Sequence, residues 1–364
     1  RFARADIVAP SPRFLTPVSW NRFDSMRSCT TAAFLVLMSA VWTSAGRRAG
    51  TAPLSLVCIG DWGGESDEKP SNAAQQAASA GMSKVSEEIG AQGILLLGDN
   101  FYLHGVESNT SVRFQETFED VYPVEAFKNL PFYVIAGNPD HRGNVQAQID
   151  YHGSARWHFP HLYYKLPFKF TSSTGVPRTV DFVLIDTVDL CGICEEEYVG
   201  CPLVGAAEDE VQWTWLEQQL QTSTADFLWV GGHYPIYSAG GDGTTPLLVQ
   251  RLLPMLKKYG AHYISGHDHM HEHLVHEGVN MVVTGPGRMC CYNTTHFDTV
   301  PAGAIKFMVE GPSGHGPKSN LPQNDTMLSG FSSLQFDDTV TMTMYKEDGE
   351  TLYTAPPIAA RSKV

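Results

Sequence analysis

The sequence predicts an α/β domain with stacked sheets, and two patterns carry that expectation. Short apolar runs alternate with amphipathic or turn-rich segments through the interior of the chain, and its last part is purely β in character. The apolar runs place strands at 54–59, 94–97, 132–135, 182–185, 227–230, 262–264 and 281–283. Helices fit between them at 72–89, 209–220 and 246–259. The last of these opens with Thr245 as N-cap and Pro246 at the first helical position, where a missing N–H costs nothing. Residues 331–336 and 339–345, turning at Asp337-Asp338, read as an antiparallel hairpin. No repeat, low-complexity tract or linker divides the chain, so a single domain at 52–355 with a short tail at 356–364 is expected.

The chain has 364 residues, enough to bury a sizeable core. Only 18% of them are charged and the formal net charge is −14. That balance argues against nucleic-acid binding, which needs a basic footprint. The first methionine is Met26, and Arg27, the apolar run 32–41 and Thr43-Ser44-Ala45 have the layout of a secretory signal peptide at 26–45. The apolar run is too short to span a bilayer comfortably. On this reading residues 1–25 are untranslated or misassigned, and the mature chain begins near Gly46 without a membrane anchor. The expected destination is the secretory pathway, with release from the cell or delivery to a lysosome- or vacuole-like compartment. Sequons at Asn109, Asn293 and Asn324 agree with export and glycosylation. In an exported chain Cys191, Cys194, Cys201, Cys290 and Cys291 favour disulfides over a zinc site at Cys191-x-x-Cys194, with their pairing open. Cys58, inside an apolar strand, reads as a buried free thiol.

The informative residues follow the strands. Gly60-Asp61-Trp62-Gly63, Gly98-Asp99-Asn100-Phe101-Tyr102 and Gly137-Asn138-Pro139-Asp140-His141 follow the first three apolar runs. Gly231-Gly232-His233-Tyr234-Pro235 and Gly266-His267-Asp268-His269 follow two later ones. Ligands of α/β sheets bind outside the carboxyl ends of strands, so these turns can converge on one place. Their glycines permit sharp turns, and Asp, Asn, Tyr and His are donors for hard or borderline metal ions.

Taken in this order, the five blocks resemble those of the calcineurin-like metallophosphoesterases, and in detail the purple acid phosphatases of the small, tartrate-resistant type. Most of the wider family open with Asp-x-His. Here the block is Asp61-Trp62-Gly63, and Tyr102 takes the vacated place. The similarity continues through 101–106, 143–151, 157–164, 186–192 and 233–237. It implies a four-layer α/β/β/α sandwich of two stacked mixed sheets flanked by helices. It implies a dinuclear metal centre, with Asp61, Tyr102 and His269 on Fe(III), and Asn138, His233 and His267 on a divalent Fe, Zn or Mn ion. Asp99 would bridge the two. The implied activity is hydrolysis of phosphate monoesters, small or on phosphoproteins, by a metal-activated hydroxide at acid pH, with a monomer favoured.

Two positions depart from the family. Pro139 stands where the related enzymes read Gly-Asn-His-Asp, and Asp242, in Gly241-Asp242-Gly243, stands where a second histidine is expected. Proline offers no hydrogen-bond donor and no proton, and it biases the preceding Asn138 towards extended backbone. Asp242 is the candidate replacement acid, with a solvated turn residue as the plainer alternative. His141 is a further candidate for proton handling; for it and for His104 a supporting or surface role is the plainer alternative. The run Glu195-Glu196-Glu197, in a loop reaching Asp209, corresponds to a segment that covers the site in the animal enzymes and would dampen activity until displaced; a solvated charge run explains it equally. A metal-bearing scaffold with weakened or lost turnover that binds a partner protein is the competing function. A nuclease is disfavoured by the acidic balance.

Overall fold

The computed structural model describes residues 52–194, 203–204, 210–309, 311 and 327–362. The expected leader 1–25 and expected signal peptide 26–45, Cys194 beyond its backbone, Cys201, the Glu195-Glu196-Glu197 run and the Asn324 sequon lie outside that description. In chain order come β1 (Leu54–Ile59), α1 (Ala73–Glu88), β2 (Gly93–Leu97), α2 (Val124–Phe127) and β3 (Phe132–Ile135). Next are α3 (Asn138–Arg142), α4 (Val145–Ile149), β4 (Trp157–His158), β5 (Tyr164–Thr171), β6 (Pro177–Leu184) and α5 (Thr187–Cys191). They are followed by β7 (Ile193–Cys194), β8 (Leu203–Val204), α6 (Glu210–Thr222), β9 (Phe227–Gly231), α7 (Leu253–Tyr259) and β10 (His262–Ser265). The last elements are β11 (His271–His276), β12 (Val279–Thr284), β13 (Ile305–Met308), β14 (Gly330–Phe336), β15 (Thr339–Lys346), β16 (Thr351–Thr354) and β17 (Ile358–Ala359).

Two mixed sheets result. One has the order β16-β15-β14-β1-β2-β3-β4 with β17 beside β15, and the other β13-β11-β12-β10-β9-β6-β5. The predicted runs became central parallel strands because they are almost wholly apolar: β1, β2, β3 and β9 are buried at every position. The faces meet through aromatic rings, with Phe336 of β14 at 5.6 Å from Phe182 of β6 and 5.6 Å from Phe227 of β9. On the outside, α1 packs on β1 and β14, whereas α6 packs on β6 and α7 on β12, the expected α/β/β/α layering. The predicted hairpin is β14–β15. The β5–β6 pair, β11 and β13 were not expected. In β5 buried positions alternate with exposed ones, the pattern of an edge strand with one wet face.

The helix at 246–259 forms where predicted, with a π-helical turn at Leu248–Leu252, and stops at Gly260, whose φ of +63° suits glycine. Part of the expected tail joins the fold, as Ile358 and Ala359 pair with Val340 and Thr339. One local expectation fails. Asn138 is not extended; it is the first residue of α3, with Pro139 in the opening turn. The Asp140 carboxylate accepts from the Gly137 amide at 2.8 Å and His141 N donates to the Gly137 carbonyl at 3.3 Å. These bonds close the turn and override the pre-proline preference.

Candidate metal centre

The turns after β1, β2, β3, β9 and β10 lie at the carboxyl ends of parallel strands, and stacking of the two sheets brings them together. Their approach is too tight for larger residues. A Cβ on Gly60 would lie 2.8 Å from Gly266 Cα, and one on Gly137 would lie 2.1 Å from Asp99 Oδ1. Asp61, Asp99 and His267 have φ of +56°, +55° and +72°. Left-handed backbone at three non-glycine residues of one site is strain that the surrounding structure must hold, a pattern that clusters where function needs an exact side-chain direction.

The side chains converge in two overlapping groups. Tyr102 Oη lies 2.5 Å from Asp99 Oδ2, 3.1 Å from Asp61 Oδ1 and 3.0 Å from His269 Nε2. On the other side, His233 Nε2 lies 3.0 Å from Asn138 Oδ1 and 3.1 Å from Asp99 Oδ1. His267 closes this second group, its ring centroid 5.0 Å from that of His233 and its backbone N–H donating to Asp61 Oδ2 at 2.7 Å. Asp99 belongs to both groups.

This arrangement suits cations. His233 Nδ1 donates to the Leu97 carbonyl at 2.8 Å, which turns Nε2 towards Asn138 and Asp99. Asp99 Oδ1 is buried and makes no hydrogen bond despite its neighbour at 3.1 Å. Acceptor oxygens of Asp61, Asp99 and Asn138 thus crowd around the Tyr102 hydroxyl and the His233 imidazole. The charges respond accordingly. Burial, and the adjacent Asp99 among other groups, hold Asp61 well above the carboxylate range. Burial opposes charge on His233, yet Asp99 and Asp61 raise its pKa to about 10. Burial and the His233 charge bring His267 down to about 4, and burial with Arg288 takes His269 well below its usual value. The donor set, one phenol with carboxylates, an amide oxygen and imidazoles, fits a pair of hard or borderline ions.

The calcineurin-like phosphoesterase family profile matches residues 54–271. The chain is 38% identical over 312 residues to tartrate-resistant acid phosphatase type 5 of Oryctolagus cuniculus, covering 83% of this chain and 90% of the relative. It belongs to the calcineurin-like phosphoesterases, in their purple acid phosphatase branch. The Homo sapiens relative of the same name is 36% identical, with 90% of this chain and 98% of that protein covered. A solved structure described as GAP50, the anchor in the inner membrane complex of Plasmodium, superposes with a TM-score of 0.68 at 23% identity, covering 85% and 90% of the two chains, and has the same fold.

Other candidates in this phosphoesterase sit around the centre. His141 pairs with Asp186, its Nε2 2.7 Å from Asp186 Oδ2. His104 is exposed. The Asp242 amide donates to Asp268 Oδ1 at 2.9 Å, and the Asp242 charge bears on Tyr292, which stacks on His269 with centroids 4.5 Å apart. Cys58 is a buried thiol as expected; Cys191, expected in a disulfide, is instead a second buried thiol, and Cys290 and Cys291 are joined to each other.

Sequence reading missed four neighbours: Arg288, Tyr292, Asp140 and Glu272. Asp140 had a signal, lying two residues after Asn138; its buried carboxylate accepts from the amides of Asn100, Phe101 and Gly137 and so locks the second turn against the third. Glu272 accepts from Ser238 Oγ at 3.0 Å and the Ala239 amide at 2.9 Å, and its other oxygen is buried without a partner. Burial, then the charge of Asp268, push its carboxyl from 4.5 up to about 8. The folded chain keeps this proton through that window while the unfolded chain loses it, so stability falls as pH rises from 4.5 to 8. Glu272→Gln, neutral throughout, is expected to raise the melting temperature over the parent near neutral pH, with the gain vanishing at about pH 4. A gain independent of pH would mean that Glu272 has the same pKa folded and unfolded.

Proposed function

We propose that the protein is an acid phosphatase that hydrolyses phosphate monoesters at a dinuclear centre. Asp61, Tyr102 and His269 would hold Fe(III); Asn138, His233 and His267 would hold a divalent Fe, Zn or Mn ion; Asp99 would serve both. The observation that carries this reading is the position of Asp99, one oxygen against Tyr102 and the other against His233. Two such ions, when bound, polarise phosphoryl oxygens and lower the pKa of water. The chain's own residues hold the pair in place: the carboxylates and the phenol offset its charge, and the Leu97 carbonyl keeps His233 in the tautomer that presents Nε2. Substrates on this reading are small phosphate monoesters or phosphoproteins, met in the secretory pathway.

Protonation of the leaving alcohol falls to another residue, because Pro139 offers no proton. Asp242 is the acid assigned to it. Asp242→Asn is expected to lower kcat on alkyl phosphates by about 10²-fold and to leave activated aryl phosphates nearly unchanged, since a good leaving group needs little protonation. Equal effects on both ester classes would remove Asp242 from that role. The founding experiment is hydrolysis of an aryl phosphate between pH 4 and 8 by metal-analysed protein. Turnover tied to two bound ions, lost on chelation and restored by iron with zinc, is the expected result; turnover indifferent to chelation would overturn the proposal.

A further inference from the structure

The segment after β12 presses two side chains onto the candidate centre. It runs close beneath the first turn, since a Cβ on Gly287 would lie 2.3 Å from the Gly60 carbonyl oxygen. Arg288 lies with its guanidinium carbon 3.8 Å from the centroid of the Tyr102 ring. Its Nη1 donates to the Gly64 carbonyl at 2.8 Å, its backbone carbonyl accepts from Asn72 Nδ2 at 3.0 Å, and its Nε is buried without a partner. Such a cation is therefore held over one aromatic face from both ends, at the near limit of cation–π contact. Four residues on, Tyr292 stacks on His269 and donates its amide to the His269 carbonyl at 3.2 Å.

We propose that Arg288 is a positioning residue for Tyr102, which fixes the ring plane and tunes the phenol as a metal donor. This rests on the assignment of Tyr102 to iron made above. A guanidinium over the ring attracts its π electrons and lowers the energy of the orbital that gives up charge to a ferric ion. The light absorbed by that charge transfer is correspondingly of higher energy. Removal of the cation raises the donor orbital and moves the absorption to longer wavelength.

The test is the visible spectrum of the full chain loaded with iron, in the parent, Arg288→Gln and Arg288→Lys. Gln keeps a planar amide but carries no charge; Lys keeps the charge without the plane. The expected result is a shift of the Gln variant to longer wavelength by about 10–20 nm, the size of effect an ordinary cation–π contact has on a visible band, with Lys close to the parent. Loss of iron from the Gln variant with retention in the Lys variant supports the same role of the charge. A Gln maximum equal to that of the parent, equal shifts in both variants, or iron loss from both would overturn it. Absence of any visible band in the iron-loaded parent would instead reject the iron assignment of Tyr102, a separate failure.

Discussion

Replacing Asp99 with Asn is expected to lower aryl phosphate turnover by more than about 100-fold and to reduce the bound metal below two ions per chain. The lower bound follows from metal sites in general, where removing even an outer partner of a ligand costs about 10–100-fold. Asp99 stands closer than that. Its Oδ2 is 2.5 Å from the Tyr102 hydroxyl and its Oδ1 is 3.1 Å from His233 Nε2, so a single charge serves both halves of the centre. Asn is the informative substitution because it keeps the shape and tolerates the φ of +55° at this position. A loss can then be assigned to charge, provided that the melting temperature of the metal-free protein is unchanged. Turnover within tenfold of the parent, with two ions retained, would remove Asp99 from its shared role.

Pro139→His is the substitution expected to increase activity. Pro139 is buried in the first turn of α3, directly after the candidate ligand Asn138. The helix loses nothing by having proline there, because the N–H groups of a first turn lack helical partners. Its fixed φ helps that turn form, so histidine is expected to cost about 0.4–1 kcal/mol of stability. The chemical gain is larger. A histidine beside the centre supplies a donor and a proton near neutral pH, and general-acid help is worth about 10²–10⁴-fold. An increase of about 10² in kcat is expected on alkyl phosphates, little change on activated aryl phosphates, and a new ionisation at about 6.5 in the pH profile. Metal binding without turnover in the parent, and activity only in the histidine variant, would make the natural protein a scaffold. Equal rates on both ester classes in parent and variant would mean that protonation does not limit this enzyme.

Much of the fold was legible because its central strands are short, almost wholly apolar runs closed by a nearby glycine. β1, β2, β3 and β9 had no other plausible place than a buried sheet. β5 was not legible, because its LPFKF core breaks the apolar run with a proline and a lysine that only an edge strand tolerates. The candidate ligands were legible for a related reason: each sits in the turn directly after a strand, where the chain must present them together. Asn138 was misjudged in conformation, although not in place, because the bonds from Asp140 and His141 that draw it into α3 outweigh a local preference of the residue before proline.

By itself the sequence determined which atoms could meet an ion and which could not. Donor chemistry belongs to the residue: Tyr102 offers a phenol, Asn138 an amide oxygen, and Pro139 no proton, whatever surrounds them. Tertiary structure alone decided how those atoms are held. Arg288 lies 186 positions from Tyr102 in the chain, and no periodicity or motif links them; they touch because the segment after β12 of one sheet passes under the turns of the other. The proton on Glu272 is likewise a property of its burial beside Asp268, since an isolated glutamate titrates near 4.5 and this one near 8. Residue identity sets what a side chain can do, whereas stacking of the two sheets sets distance and dielectric, and with them the charge each side chain carries.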